Sequence, residues 1–194
     1  MNDPNHIAIL VFLLVLSVSV FAISRVGRRK RPSLHVVRND NGYTPAEVAR
    51  VIDGDTVDVI VNGRKTRIRL DAIDCPEDGQ EWGETATHGL IKLIGGRTVY
   101  LEVHGFDPYD RTLATIYLPK GRNGKWQNVN ERMVMLGHAW VMRQFYNHLP
   151  PARKNSLNRI EAWAKSNKVG LWRKPNPLPP WKWRGVNRIK RGRS

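Results

Sequence analysis

Four acids stand at two turns of this 194-residue chain: Asp53 and Asp55 in VIDGDTV, and Asp74 and Glu77 in DAIDCPE. Singly, each has an ordinary account. An Asp-Gly-Asp turn forms because aspartate bonds its own backbone and glycine tolerates positive φ, and Asp74-Cys75-Pro76-Glu77 reads as a strand end stopped by proline. Together they say more. If the flanking strands form a meander, the start of the second and the end of the third lie at one end, and Asp55, Asp74 and Glu77 converge. Three carboxylates without a histidine or cysteine partner make a hard oxygen site, suited to Ca²⁺ or Mg²⁺ rather than zinc. Like charges held together need cations to compensate them. Arg69 sits five residues before Asp74 on the same strand, and Arg111 follows the turn DPYD. A guanidinium fork matches two phosphate oxygens at once, although a surface ion pair is the ordinary account of a single arginine. Carboxylates for a metal plus two arginines form a set able to cleave a phosphodiester: the cations stabilise charge on the phosphate while a carboxylate activates water.

The elements that must position this set follow from patterning. Residues 48–52, 56–61 and 64–73 read as three strands, rich in β-branched residues and alternating in VDVIV and RIRLDAI. Asp53-Gly54 and Asn62-Gly63 are the hairpin signals between them. Residues 81–94 read as a helix closed by Gly95-Gly96, and residues 98–103 and 113–118 as two further strands. Two more helices are expected over residues 129–137 and 152–168, the second preceded by Pro150-Pro151 and ended by Gly170. Three meandering strands, a helix and two more strands suggest a small, partly open β-barrel with helices packed on it, an α+β fold.

The formal net charge of +15 points to a polyanionic partner, nucleic acid or an anionic membrane. Most of that excess sits in the flanks, in Arg25, Arg28, Arg29, Lys30 and Arg31 and in Lys182, Arg184, Arg188, Lys190, Arg191 and Arg193. The single cysteine, Cys75, excludes an intrachain disulfide framework and a cysteine-cluster zinc site. Residues 7–23 carry no charge, at the short end of the roughly 17–25 apolar residues that span a bilayer. They read as a retained anchor, with a signal peptide cut after Ala22 as the alternative. The start MNDPNH lacks a basic leader region and the basic cluster follows the apolar run, which favours the anchor. For an anchor, the positive-inside rule holds the remainder in the cytoplasm; cleavage would leave a secreted or periplasmic protein. The side of the membrane stays open. The expected organisation is an N-terminal segment over 1–24, a basic juxtamembrane linker over 25–43, a folded domain over 44–174, and a basic tail rich in proline and tryptophan over 175–194, outside the core.

The segments VIDGDTVDV, RIRLDAIDCPE, DPYDRTLATIY and AWAKSNKVGLW, in that order across residues 46–173, resemble the successive signatures of the thermonuclease, or staphylococcal nuclease-like, family. The resemblance implies an OB-fold, a five-stranded barrel with three helices, and a Ca²⁺-dependent endonuclease acting on DNA or RNA. It implies Asp55 and Asp74 as calcium ligands together with the Cys75 backbone carbonyl. Glu77 becomes the candidate general base, Arg69 and Arg111 the groups on the scissile phosphate, and Tyr109 the ring beside the nucleotide phosphate. No obligate protein partner is implied. Two departures stand out. The stretch DGQEWGE after Glu77 is short and acidic where staphylococcal nuclease has a longer basic loop, and the tyrosine that stacks near the nucleotide has no counterpart, although Arg143 and Tyr146 fall in its region. A non-catalytic OB-fold module that binds single-stranded nucleic acid is the alternative from another class; a mere binder has no reason to keep the acids and arginines together. A third reading, a membrane adaptor, accounts for the basic flanks but not for the acids.

Other residues read more plainly. His35, His88, His104, His138 and His148 have no ligand spacing and are expected on the surface or in the core. Cys75 reads as a small buried residue, and Trp163 and Trp172 as helix and core packing. Trp181 and Trp183 alternate with basic residues in the tail, a pattern compatible with base stacking, a membrane interface or disorder.

Overall fold

Strands β1 (Thr44–Val51), β2 (Thr56–Val61) and β3 (Arg64–Leu70) form the expected meander. At its second turn Asn62 and Gly63 both take positive φ, 49° and 73°, the conformation of a tight hairpin whose twist matches its strands. The computed structural model describes residues 42–119 and 125–191; the apolar run over 7–23, the basic cluster after it and His35 lie outside the described residues. Among those described, no helix is long and apolar enough to cross a membrane.

β1 begins earlier than patterning suggests, because residues Thr44 to Glu47 pair with β5 (Thr98–Phe106). β5 pairs in turn with β6 (Thr112–Leu118). The sheet order β3-β2-β1-β5-β6 then closes on itself through a parallel pairing of β3 with β6, Ile68 opposite Thr112 and Leu70 opposite Ala114. The five-stranded barrel is therefore closed rather than partly open. Val57, Val59, Ile68, Leu70, Leu101 and Ile116 fill it and are fully buried.

The long third strand expected from RIRLDAI is broken. Ala72 takes φ 63°, a left-handed conformation that an L-residue with a side chain adopts at a cost. Beyond it, β4 (Ile73–Asp74) leaves the barrel and pairs with β8 (Trp140–Val141), Asp74 opposite Trp140.

Among the described residues, four α-helices accompany the barrel. In α1 (Gly83–Ile94), Ala86, Leu90 and Ile94 form the buried stripe. A two-residue strand, β7 (Gln127–Asn128), edges β6 and leads into α2 (Val129–Met135), where the Asn128 side chain caps the Glu131 N–H at 3.1 Å. Helix α3 (Pro151–Ser166) carries a proline in its first turn. The segment read as a tail outside the core contains α4 (Pro180–Arg191).

Candidate active site

The turn over residues 53–55 is held against the end of the broken strand. A β-carbon on Gly54 would lie 2.7 Å from that of Cys75 and 2.9 Å from that of Ala86, so only glycine lets the turn approach so closely. The Cys75 N–H donates to Asp55 Oδ2 at 2.7 Å, and Cys75 Sγ lies 3.1 Å from the Gly54 carbonyl. Cys75 is thus the small buried residue expected, its thiol pushed up by burial and by the Asp55 charge. Glu77 is braced in the same way. Its carbonyl accepts from the Gln80 N–H, its own N–H donates to Gln80 Oε1 at 3.0 Å, and a β-carbon on Gly83 would meet its carbonyl oxygen at 2.1 Å.

Arg69 ties the acids together. β3 places it opposite Thr56, beside Asp55. Its Nη2 lies 3.1 Å from Asp55 Oδ2 and 2.8 Å from Asp74 Oδ1, while Nη1 donates to the Leu70 and Ile73 carbonyls. Burial costs Arg69 its hydration, but Asp55 and Asp74 outweigh that and keep it firmly charged. Burial pushes the Asp55 carboxyl up to about 7; Arg69 opposes the shift, and the charges of Asp53 and Asp74 add to it.

Barrel closure sets the opposite wall. Because Arg69 pairs with Leu113, the turn before β6 stands at the same barrel end, and Tyr109 and Arg111 line one cleft of about 1180 Å³ with Asp55, Arg69, Asp74 and Glu77. Asp107 shapes that turn. It accepts the Tyr109 and Arg111 N–H groups at 2.9 Å and Arg111 Nε at 2.6 Å, and these bonds hold its carboxyl below the usual range against its burial. Tyr109 is largely exposed, with the Arg111 guanidinium 5.6 Å from its ring centre.

Support extends outward through Glu161 of α3. It is 1% exposed, accepts the Val141 N–H at 2.9 Å and pairs with Arg143 at 2.7 Å and Lys165 at 3.0 Å. Burial would raise its carboxyl, but those partners hold it below the usual range. Glu161 thereby pins β8, and β8 pins Asp74. Arg143 is an ion-pair partner here, and the Tyr146 hydroxyl takes a 3.2 Å bond from Asn158.

Two features escaped sequence reasoning. The first is Arg184 on α4, whose Nη2 lies 2.9 Å from Asp74 Oδ2 and whose Nη1 bonds Glu77 and reaches Asp74 Oδ1 at 3.3 Å. Pro179-Pro180 ahead of Trp181 was a helix-start signal, but nothing local points a tail arginine at acids a hundred residues away. The second is Asp71 with His104 and His148, whose ligand atoms lie within 4.8 Å of one another on the same cleft. His148 Nε2 is 2.8 Å from Asp71 Oδ2, and His104 Nε2 is 2.9 Å from Thr115 Oγ1. Burial keeps the His104 imidazole low in basicity despite Asp71 and Glu102. Two imidazoles and a carboxylate are donors a transition ion accepts; here His148 bonds Asp71 and His104 bonds Thr115. Of the other histidines, His88 is exposed and His138 is bonded by the Trp82 indole at 3.1 Å. Trp163, expected in packing, is 48% exposed, because the buried residues of α3, Leu157, Glu161 and Ala164, lie on another face. Trp172 does pack, edge-on to Trp140 with ring centres 5.2 Å apart.

The family described as Staphylococcal nuclease homologue matches residues 67–174. A Micrococcal nuclease of Shigella flexneri is 38% identical over 145 residues, 73% of this chain and 81% of that protein. An Uncharacterized endonuclease of Escherichia coli O157:H7 is 40% identical over 137 residues, 71% of this chain and 82% of that protein. The Staphylococcal-like nuclease CAN1 of Arabidopsis thaliana is 32% identical over 173 residues, 86% of this chain and 47% of that protein.

Proposed function

Since the chain belongs to the staphylococcal nuclease family and is a nuclease that hydrolyses phosphodiester bonds, we propose that it is a calcium-dependent endonuclease of DNA or RNA tethered to a membrane. One observation carries the calcium reading: the buried carboxylates Asp55 and Asp74 share a single guanidinium nitrogen of Arg69, at 3.1 and 2.8 Å. Two anions held that close call for more positive charge than one arginine brings. Their donors are oxygen, and the Cys75 sulfur is spent on the Gly54 carbonyl, which fits a hard cation. Asp55, Asp74 and the Cys75 carbonyl would hold Ca²⁺. When bound, the ion supplies Lewis-acid stabilisation of the phosphate and lowers the pKa of a coordinated water.

The chain's own residues have distinct tasks. Glu77 takes the proton from the attacking water as general base. Arg69 and Arg111, both lining the cleft, stabilise charge developing on the phosphate oxygens, which needs fixed donors that do not reorganise during the reaction. Tyr109 sits beside the nucleotide phosphate. Full-length protein should degrade single-stranded DNA and RNA with Ca²⁺ and stop when a chelator is added; undiminished cleavage in excess chelator would sink the calcium assignment.

Residues 7–23, uncharged and followed by five basic residues within 25–31, support the tether. Cell fractionation should find the chain in a membrane pellet that resists high salt, with removal of residues 1–24 releasing it. Recovery as a soluble protein whose N-terminus lies near Ile23 would make the segment a cleaved signal instead.

A further inference from the structure

Helix α4 lies beyond the segment that matches the family, which ends at residue 174. Its one arginine in the cleft approaches the two acids that Arg69 leaves incompletely paired. The Arg184 fork spans both oxygens of Asp74, at 2.9 and 3.3 Å, and its Nη1 also bonds Glu77. Asp74 is 1% exposed, and Arg69 and Arg184 between them contact both of its carboxylate oxygens.

Charge balance gives the contact its meaning. With Asp55 ionised, as metal binding requires, Asp55, Asp74 and Glu77 bring three negative charges; Arg69 and Arg184 bring two positive ones. A divalent cation with Arg69 alone already neutralises the three acids, so with the ion in place Arg184 is surplus and is repelled by it. A guanidinium cannot shed its proton to accommodate the ion. It must move away.

The way α4 is attached permits this. Among the described residues no main-chain hydrogen bond joins α4 to the barrel; its first turn bonds back to Pro179. Side chains hold it: Trp181 stands edge-on to Trp140 with ring centres 6.3 Å apart, and Pro180 is buried. The segment leading into it is tied down separately, by Gln80 Nε2 donating to the Leu178 carbonyl at 2.6 Å and by an exposed ion pair of Lys174 with Glu81 at 2.5 Å. A helix seated on the domain by side chains alone can swing out while this lead-in stays attached.

We propose that α4 is an autoinhibitory latch: in the metal-free protein Arg184 takes the cation's place on Asp74 while bonding Glu77, and a divalent cation must displace it to load the site. This rests on the calcium reading above. Arg184 also silences Glu77, since a carboxylate bonded to a guanidinium is a poorer base. Because the ion binds only the unlatched state, its apparent affinity is reduced by the unlatched fraction.

The test is calorimetric titration of Ca²⁺ into full-length protein and into Arg184→Gln, with hydrogen exchange followed over residues 175–191. A latch closed about nine-tenths of the time makes Arg184→Gln bind Ca²⁺ roughly tenfold more tightly than the unaltered protein. Saturating Ca²⁺ then speeds exchange over α4 in the unaltered protein. Trp181→Ala, which loosens the seat and leaves every charge in place, should shift affinity in the same direction, and it serves if Arg184→Gln fails to fold. Equal or weaker binding by the variants, or α4 exchange indifferent to Ca²⁺, overturns the latch alone. Absence of Ca²⁺ binding from all three proteins overturns the calcium reading, and the latch with it.

Discussion

Asp71 and Asp74 flank the same kink at Ala72, both are buried, and they meet opposite kinds of partner. Asp74 is gripped by two guanidiniums, at 2.8 and 2.9 Å. Asp71 faces imidazoles, His148 at 2.8 Å and His104 at 4.0 Å. The Asp71 main chain is spent as well, its N–H on the Ala114 carbonyl and its carbonyl on Asn130 Nδ2. A carboxylate paired with permanent cations can exchange them only for another cation. An imidazole such as His148 satisfies a carboxylate with a hydrogen bond that needs no ion. A single turn of backbone therefore separates an exchangeable site from a closed network, and the choice is made by side chains arriving from other elements.

The largest effect should come from testing which set does chemistry. Glu77→Gln, Arg69→Lys and Arg111→Lys should each lower kcat by roughly 10²-fold or more, as loss of transition-state contacts does, the lysines keeping the charge but losing the fork. Alanine at His104 or His148 should leave kcat within roughly threefold. The reverse order in single-turnover assays would move the catalytic centre to the imidazole set.

Next comes the metal. Asp74→Asn should weaken Ca²⁺ binding by at least the roughly 10–100-fold that loss of an outer-shell partner costs, while Asp71→Asn, read in the same titration, should change it by under about twofold. Similar losses in both would erase the distinction drawn here.

The pH dependence has a definite sign. Asp55, raised from 3.8 to about 7, must lose its proton to serve as the proposed metal ligand. Ca²⁺ affinity should thus rise roughly tenfold from pH 6 to pH 8, in proportion to the ionised fraction. Its contribution to the stability of the metal-free fold runs the other way, fully present below pH 3.8 and lost as pH rises through about 7. A flat affinity profile over that window would detach Asp55 from the ion.

The smallest effect belongs to the closed network. His104→Gln should cost about 1 kcal/mol in denaturant unfolding, the scale of one hydrogen bond. A loss several times larger would mean that the network supports the cleft as a whole.

Which of this was legible follows from how far each signal travels along the chain. The hairpin at Asn62-Gly63, the helix α1 and the approach of Asp55 to Asp74 through a three-strand meander all rest on residues close in sequence, and patterning reads them. Alternation in RIRLDAI continues straight through Ala72, so the kink is invisible: its positive φ is imposed by tertiary bonds, including the Met142 N–H on the Ala72 carbonyl. Closure of the barrel was underestimated because a parallel pairing of β3 with β6 leaves no turn signature. His104 and His148, on a strand and on the approach to α3, share no spacing that could announce them. Trp163 misled because helix α3 buries Glu161 instead, a position that only the partners Val141, Arg143 and Lys165 make tolerable.

The pairing of Ile68 with Thr112 also sets the order in which the molecule becomes dangerous. Loop closure between such distant segments comes late and slowly in folding. Asp55 and Arg69 sit on a hairpin that emerges early during synthesis, whereas Arg111 meets them only when β6 docks. A growing chain therefore carries no assembled form of the proposed phosphate clamp until β6 has emerged and docked. Helix α4 is the last described element to emerge, so the latch is added to a barrel that has just acquired the means to cut.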